Sequence, residues 1–297
     1  MRLVQCVPNF SEGRRPEVIE AVVDQVRQSP GVTLIDVLSD ASHNRTVVTF
    51  MGEPEAAKNA AFKLATKAIE LIDMEQQHGA HPRIGAADVL PFVPLCDYTV
   101  EECIELARSL AQDISEKLGV PVFMAEKAST RPNLRSYNEI RKGQYEGLKE
   151  VINTPERCPD FGPHKMHPTA GATIVSVRDA LIAYNVNLDT DNVDIAKKIA
   201  KALRESSGGY KNVKALGIMI EARGQAQVTM NMCNYRTAPL YRIFETIKSE
   251  AARYGVNADG SEIVGLTPLE ALVDTAAFYL RLEDFTRGQI LETRIWE

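Results

Sequence analysis

The order in which two hydrophobic periods alternate constrains this chain more than any single motif. "LVQCV" (3–7) is short and apolar and reads as a buried strand. Behind Pro16, the residues Val18, Ile19, Val22, Val23 and Val26 recur at helical spacing over 16–29. "VTLIDVL" (32–38) and "RTVVTFM" (45–51) are β-rich and separated by the polar stretch "SDASHN". Residues 54–73 place Ala57, Ala61, Leu64, Ala68 and Ile72 on one face of an alanine-rich helix. "ADVLPFVPL" (87–95) reads as a strand whose two prolines favour an edge or a bulge. Strand, helix, strand, strand, helix, strand is the ferredoxin-like order. A further helix follows, opened by a Thr99/Glu102 capping box and closed by Gly119, with Cys103, Ala107, Leu110, Ile114 and Leu118 on its apolar face. The strand "VPVFMA" (120–125) comes after it.

The second half repeats the order. "LIAYNVNL" (181–188) is a strand, and residues 191–205 are a helix carrying Val193, Ile195, Ile199 and Leu203. "VKALGIMI" (213–220) and "AQVTMNM" (226–232) are strands, residues 238–254 a helix, "SEIVG" a short strand, and a last helix starts at Thr267 and Pro268. The halves share element order and no evident sequence identity. The sequence thus predicts an α+β protein of two ferredoxin-like βαββαβ subdomains, residues 1–178 and 179–297.

The 297 residues suit two domains, and 44% hydrophobic with 25% charged residues is ordinary globular composition. A net charge of −6 argues against a nucleic-acid-binding surface spread over the molecule. No apolar run approaches the roughly 18 residues of a membrane span. "MRLVQCVPNF" reaches Pro8 and Asn9 too early for a signal-peptide core, so a cytoplasmic protein is expected. Cys6, Cys96, Cys103, Cys158 and Cys233 are scattered and odd in number, without CxxC, and read as reduced thiols.

Four of the five histidines lie in two loops rich in helix breakers. In "EQQHGAHPRIGAADVLPFVP" (75–94), His78 and His81 stand three apart, and Pro82 biases His81 toward extended backbone. Histidine moves protons near neutral pH, and the neighbouring Arg83 would hold an anionic substrate and favour the neutral imidazole. Residues 151–171 hold four prolines, two glycines, His164 and His167. His-x-x-His twice is an acceptable zinc count, but Gly79 and Pro82 oppose a helix and no acid lies within either pair, so no metal is expected. In "DVLSDASHNRTVVTF" (36–50), Asp36, Asp40, Asn44 and Arg45 would sit at the end of a sheet, although such residues also simply form turns. In "DFGPHKMHPTAGAT" (160–173), Gly162 and Gly171 permit backbone approach to a flat ligand, although an inter-domain linker would look similar. None of these features alone names a reaction.

Taken together, "CVPNFSEGR" (6–14), "NRTVVTF" (44–50), "HGAHPRIGAADVLPFVP" (78–94), "PDFGP…P..GAT" (159–173) and "EIVGLTPLEALVDTAAFYL" (262–280) resemble the formiminotransferase family in order and spacing, over residues 1–285. The resemblance implies two ferredoxin-like subdomains with a substrate tunnel or cleft between them, a homodimer, and no fused cyclodeaminase. It implies transfer of a formimino group from N-formiminoglutamate to tetrahydrofolate, the co-substrate, with tetrahydrofolate polyglutamates as the natural partners. The family's essential histidine falls on His81. Its folate-binding segment falls on Gly162, Pro163, His164, Lys165, Met166, His167, Pro168, Thr169, Ala170 and Gly171. Two positions depart from the family pattern: Leu38 where an aspartate is usual, and Ala80 where a glutamate precedes the histidine. That leaves Asp36, Asp40 or neither to orient the imidazole.

On this reading His81 is base and then acid, and binding energy holds two substrates in line. Arg45 and Arg83 meet carboxylates, Asn9 and Asn44 donate hydrogen bonds, and Asp36 and Asp40 complete the substrate-binding set. A formyl donor, N-formylglutamate giving 5-formyltetrahydrofolate, is the alternative at the same site. A metal-dependent hydrolase and a non-catalytic folate-binding protein are the other classes weighed.

Overall fold

A computed structural model describes residues 2–296. The chain divides into two compact units, residues 1–178 and 179–297. In the first, the elements are β1 (Leu3–Cys6), β2 (Asn9–Phe10), α1 (Pro16–Arg27), β3 (Val32–Asp40), β4 (Arg45–Gly52), α2 (Pro54–Leu71), β5 (Ala87–Cys96), α3 (Val100–Leu118), β6 (Val122–Glu126), α4 (Tyr137–Ile140), α5 (Gln144–Val151) and β7 (Thr173–Val177). β1 and β2 are one strand interrupted at Val7–Pro8. Both pair antiparallel with β4 on one side and β5 on the other, and β3 completes the edge beyond β4. This is the ferredoxin-like sheet that the element order predicts. The α2 face is buried throughout at Ala57, Ala61, Leu64, Ala68 and Ile72. The capping box of Thr99 with Glu102 forms, and Gly119 closes α3 at φ 66°.

The sheet then extends past β5. β7 pairs parallel with both β5 and β6, giving seven strands. Sequence reading assigns no element to "TIVSV", a five-residue apolar run directly after a breaker-rich loop. All five of its residues are buried, as expected for a strand covered on both faces. The segment between β6 and β7 belongs to the first unit: Leu134, Ile140, Tyr145, Leu148, Ile152, Met166 and Ala170 join its core. The Tyr137 hydroxyl also bonds the Ser176 hydroxyl at 2.6 Å. The inter-domain linker reading of residues 160–173 does not hold.

β5 is interior, not an edge. Its prolines are tolerated for a geometric reason. The Pro91 carbonyl accepts from Val7 N at 3.1 Å, so the missing Pro91 N–H faces the break between β1 and β2, where ladder bonding is already interrupted. Pro94 sits beside the register shift between Leu3 and Val4.

The second unit comprises β8 (Ile182–Leu188), α6 (Val193–Leu203), β9 (Val213–Ile220), β10 (Gln225–Met232), α7 (Leu240–Ala252), β11 (Ala258–Val264), α8 (Leu269–Leu280) and α9 (Leu291–Trp296). Its four-stranded sheet runs β11-β8-β10-β9, all antiparallel, around a core of its own. This is the same ferredoxin-like order, and β11 begins three residues earlier than "SEIVG" suggests. Among the described residues no helix is long and apolar enough to cross a membrane.

Two glycines of the first unit make opposite demands. A Cβ on Gly85 would lie 1.9 Å from the Ala172 carbonyl oxygen and 2.7 Å from that of Ala170, where Gly85 and Gly171 form a bridge. A Cβ on Gly147 in α5 would meet nothing within 4 Å. Gly85→Ala should lower the unfolding free energy by about 1–3 kcal/mol or more. Gly147→Ala should raise it by about 0.5–1 kcal/mol. Urea melts of the two variants check both signs.

Candidate active site

All five histidines lie in the first unit, and the site takes shape at one end of its sheet. There β2 ends, β3 turns into β4, and the chain enters β5. Asp40 closes β3 and shapes the turn: its Oδ1 accepts from Ser42 N at 2.8 Å and His43 N at 2.9 Å. Asn44 follows in the left-handed region, φ 50°, a conformation Asn tolerates better than most residues. Its Oδ1 accepts from Gly13 N at 2.9 Å and its Nδ2 donates to the His78 carbonyl at 2.9 Å, tying three segments together. Both flanking segments approach through glycine: a Cβ on Gly13 would lie 2.3 Å from the Asp40 oxygen, and one on Gly79 2.3 Å from the His43 oxygen. Gln77 Nε2 donates to the Asn44 carbonyl at 3.0 Å and Ala80 N to that of Ser42 at 3.2 Å. The Ser11 hydroxyl donates to the Gly85 carbonyl at 2.7 Å and the Thr46 hydroxyl to that of Glu12 at 2.6 Å.

This framework holds His81 half-buried, with its ring 6.4 Å from that of His43, edge to face. Burial pushes the His81 imidazole down from 6.5 to about 3, and Arg45, Arg141, His43 and Arg83 add to the shift. The ring is therefore neutral near pH 7. Arg45 is half-buried, and its Nε has no hydrogen-bond partner among the described residues. Burial and the charge of Arg141 lower its pKa, while Asp40 and Asp88 oppose them. Arg141 is anchored by an ion pair with buried Asp88, which also accepts from Ile84 N at 2.7 Å.

Several predicted binding residues have other work. Arg83 is buried, and its whole fork is engaged: Nε bonds Gln77 Oε1 at 2.9 Å, and Nη2 bonds the Gln77 carbonyl at 3.0 Å and Glu146 at 2.7 Å. Nη1 bonds Gln144 at 3.1 Å and Glu146 at 3.0 Å. Arg83 therefore fixes the loop, and the carboxylate its fork holds is that of Glu146. Asn44 has both polar atoms engaged, as above. Asn9 Nδ2 donates to the Val7 carbonyl at 3.1 Å beside the strand break. Asp36 accepts from its neighbour Val37 N at 2.9 Å. The second Asp40 oxygen bonds His43 Nδ1 at 2.8 Å, and neither aspartate is hydrogen-bonded to His81 among the described residues. His78 is exposed, so the two loop histidines part company.

The 162–171 segment also divides. Gly162 and Gly171 take φ 85° and 74° as backbone hinges, and a Cβ on Gly171 would lie 2.3 Å from the Ile84 oxygen. Met166 and Ala170 are buried in the core. His167 Nδ1 accepts from Ala170 N at 3.0 Å, closing a tight turn in which His167 and Gly171 pair. Burial lowers its pKa. Gly162, His164, Lys165, Pro168 and Thr169 are the exposed residues, with Pro163 and His167 partly so. Met74 N donates to the Thr169 carbonyl at 2.7 Å, which fastens this turn to the chain leading to His81. Sequence reading assigned no role to His43 or Arg141. For His43 a signal existed in Asp-x-x-His across a two-strand turn; Arg141, 53 residues after Asp88, had none.

Two family models cover most of the chain: the N-terminal subdomain of the formiminotransferase domain over residues 3–178 and the formiminotransferase domain over residues 183–293. A glutamate formimidoyltransferase of Streptococcus pyogenes serotype M1 is 52% identical over 295 residues, 99% of each chain. One of Thermoplasma acidophilum is 47% identical over 297 residues, covering 99% of this chain and 98% of its own. The formimidoyltransferase-cyclodeaminase of Sus scrofa is 42% identical over 289 residues, 95% of this chain and 53% of the longer relative. None of these three names a formyl donor.

The environment of His81 has a consequence for stability. In the unfolded chain the ring takes up a proton near its ordinary 6.5, whereas the folded site refuses one down to about 3. The wild type should lose stability relative to His81→Asn as pH falls through that window, with no change in the difference above it. Denaturant melts of both proteins at several pH values check this; parallel acid limbs would contradict it.

Proposed function

The chain belongs to the formiminotransferase family, and on that premise we propose that His81 and Arg45 carry out its reaction at the end of the first sheet. The protein is a one-carbon transferase that moves the formimino group of N-formimino-L-glutamate to nitrogen-5 of tetrahydrofolate, giving 5-formiminotetrahydrofolate and glutamate. The observation that carries the residue assignment is a neutral, half-buried imidazole beside a guanidinium whose Nε has no hydrogen-bond partner among the described residues.

The chemistry needs two proton movements. Nitrogen-5 attacks the formimino carbon, a tetrahedral intermediate forms, and the bond to the glutamate nitrogen breaks. One proton leaves nitrogen-5 and one reaches the departing nitrogen. His81 takes the first. Arg45 receives a carboxylate of the donor, which the occupied fork of Arg83 does not. Seating that carboxylate also tunes the base. Arg45 is, after burial, the largest influence holding His81 down. A bound anion offsets it and lifts the imidazole toward the range where it accepts a proton at neutral pH. Lys165, exposed on the 162–171 turn, is assigned on this reading to the anionic glutamyl tail of the folate.

Incubation with tetrahydrofolate and N-formimino-L-glutamate, following 5-formiminotetrahydrofolate, tests the assignment. His81→Ala should lower kcat by about 100-fold or more while remaining folded. Arg45→Gln should raise KM for formiminoglutamate about 10-fold or more, with little change in melting temperature. The acid limb of kcat should lie at higher pH than that of kcat/KM, because the first reports the complex and the second the free enzyme. Near-normal turnover by folded His81→Ala would remove the base, and an unchanged KM in Arg45→Gln would remove the donor site.

A further inference from the structure

The reaction needs a proton at the departing nitrogen, and the site holds a second imidazole in an environment unlike the first. His43 Nδ1 lies 2.8 Å from Asp40 Oδ2, in a pair about half exposed on each side. The Asp40 carboxylate is held low by the hydrogen bonds it accepts from the His43 backbone and ring, so it stays charged. Asp40 is itself fixed, because its other oxygen closes the turn on Ser42 N and His43 N. His43 meets Asp40 from β3 and His81 from the loop before β5, and Arg14 Nε bonds the Ala41 carbonyl two residues earlier at 2.8 Å. The ring centroids of His43 and His81 stand 6.4 Å apart. At that separation the nearest ring nitrogens are about 4 Å apart at best, too far for a direct bond and wide enough for one bridging nitrogen or oxygen.

We propose that His43, held by Asp40, is the acid that protonates the departing glutamate nitrogen, while His81 takes the proton from nitrogen-5. This rests on the formimino-transfer reading given above and adds a residue to it. In the step, the carbon–nitrogen bond to glutamate breaks and its electron pair goes to the glutamate nitrogen, which takes the Nε2 proton of His43. The Nδ1–H of His43 stays bonded to Asp40. His81, now protonated, returns its proton to His43 through a water that bridges the two ring nitrogens, and both rings regain their starting states. Two titratable groups in contrasting surroundings, one buried among cations and one paired with a carboxylate, divide base and acid roles in this way.

The test uses the full chain with tetrahydrofolate and N-formimino-L-glutamate, with His81→Ala run alongside. His43→Gln retains an N–H able to bond Asp40 but has no proton it can give up near neutral pH. Its kcat should fall about 10- to 100-fold, short of the full effect of a lost acid because His81 can return its own proton. Both KM values should hold, and the alkaline limb of the kcat profile, where the acid deprotonates, should disappear. His43→Ala, a truncation at an exposed position, should regain turnover when free imidazole is added, which a merely structural role would not allow. Wild-type kcat with the alkaline limb intact in His43→Gln, or no rescue of His43→Ala, overturns the proposal. An inactive His81→Ala beside either result leaves the base assignment standing, whereas an active His81→Ala removes that assignment independently.

Discussion

Close backbone approach around the 40–45 turn is the constraint on which the rest of the site depends. Gly13 and Gly79 bring their segments to within 2.3 Å, counted from a hypothetical Cβ, of the Asp40 and His43 carbonyl oxygens. No other residue type permits that contact without displacement. Asn44 then closes the joint by accepting from one segment and donating to the other. Segments more than 60 residues apart in the chain, at 13 and 79, thereby hold the rings of His43 and His81 in one neighbourhood. "NFSEG" supplies no catalytic group in this account. Its Ser11 and Gly13 are part of the framework that places the groups that react.

The electrostatics follow from that placement. His81 is surrounded by Arg45, Arg141 and Arg83, and burial weakens solvent screening of all three. A charged imidazole there is unfavourable, so the free ring stays neutral and takes up a proton only when some of that positive charge is offset. Of the three cations, Arg83 is bound by Gln77, Gln144 and Glu146, and Arg141 is paired with Asp88. Among the described residues Arg45 has only longer-range support, from Asp40 and Asp88. It is the cation whose charge an incoming carboxylate can offset, so substrate binding and base strength are linked through one residue.

Much of this was legible in the sequence. Periodicity located β8 through α8 in order, and the Thr99–Glu102 box and Gly119 bounded α3 because capping is local chemistry. β7 was missed because five apolar residues after a proline-rich loop carry no period of their own. The prolines of β5 pointed to an edge or a bulge; the strand is interior, and the irregularity lies in its partner, at the Val7–Pro8 interruption facing Pro91 and the register shift beside Pro94, which nothing local reveals. The site was half legible. His81 stood out by its neighbours Pro82 and Arg83, but whether a guanidinium faces a ligand or a buried carboxamide is decided by tertiary packing. Arg83 and Arg45 look alike in sequence and differ in the structure by what their forks touch. The 162–171 segment likewise read as one ligand-facing loop, although Met166, Ala170 and Gly171 face the core.

The central claim is that His81 is held neutral by its surroundings and is made more basic when an anion reaches Arg45. Nitrogen-15 NMR of histidine-labelled protein, titrated with and without formiminoglutamate, measures this directly. The account predicts that the His81 ring stays neutral in the free protein from pH 7 down toward the value near 3 set by its surroundings, and that its titration moves upward with donor bound. A free-protein titration near the ordinary 6.5, unmoved by the donor, would contradict it.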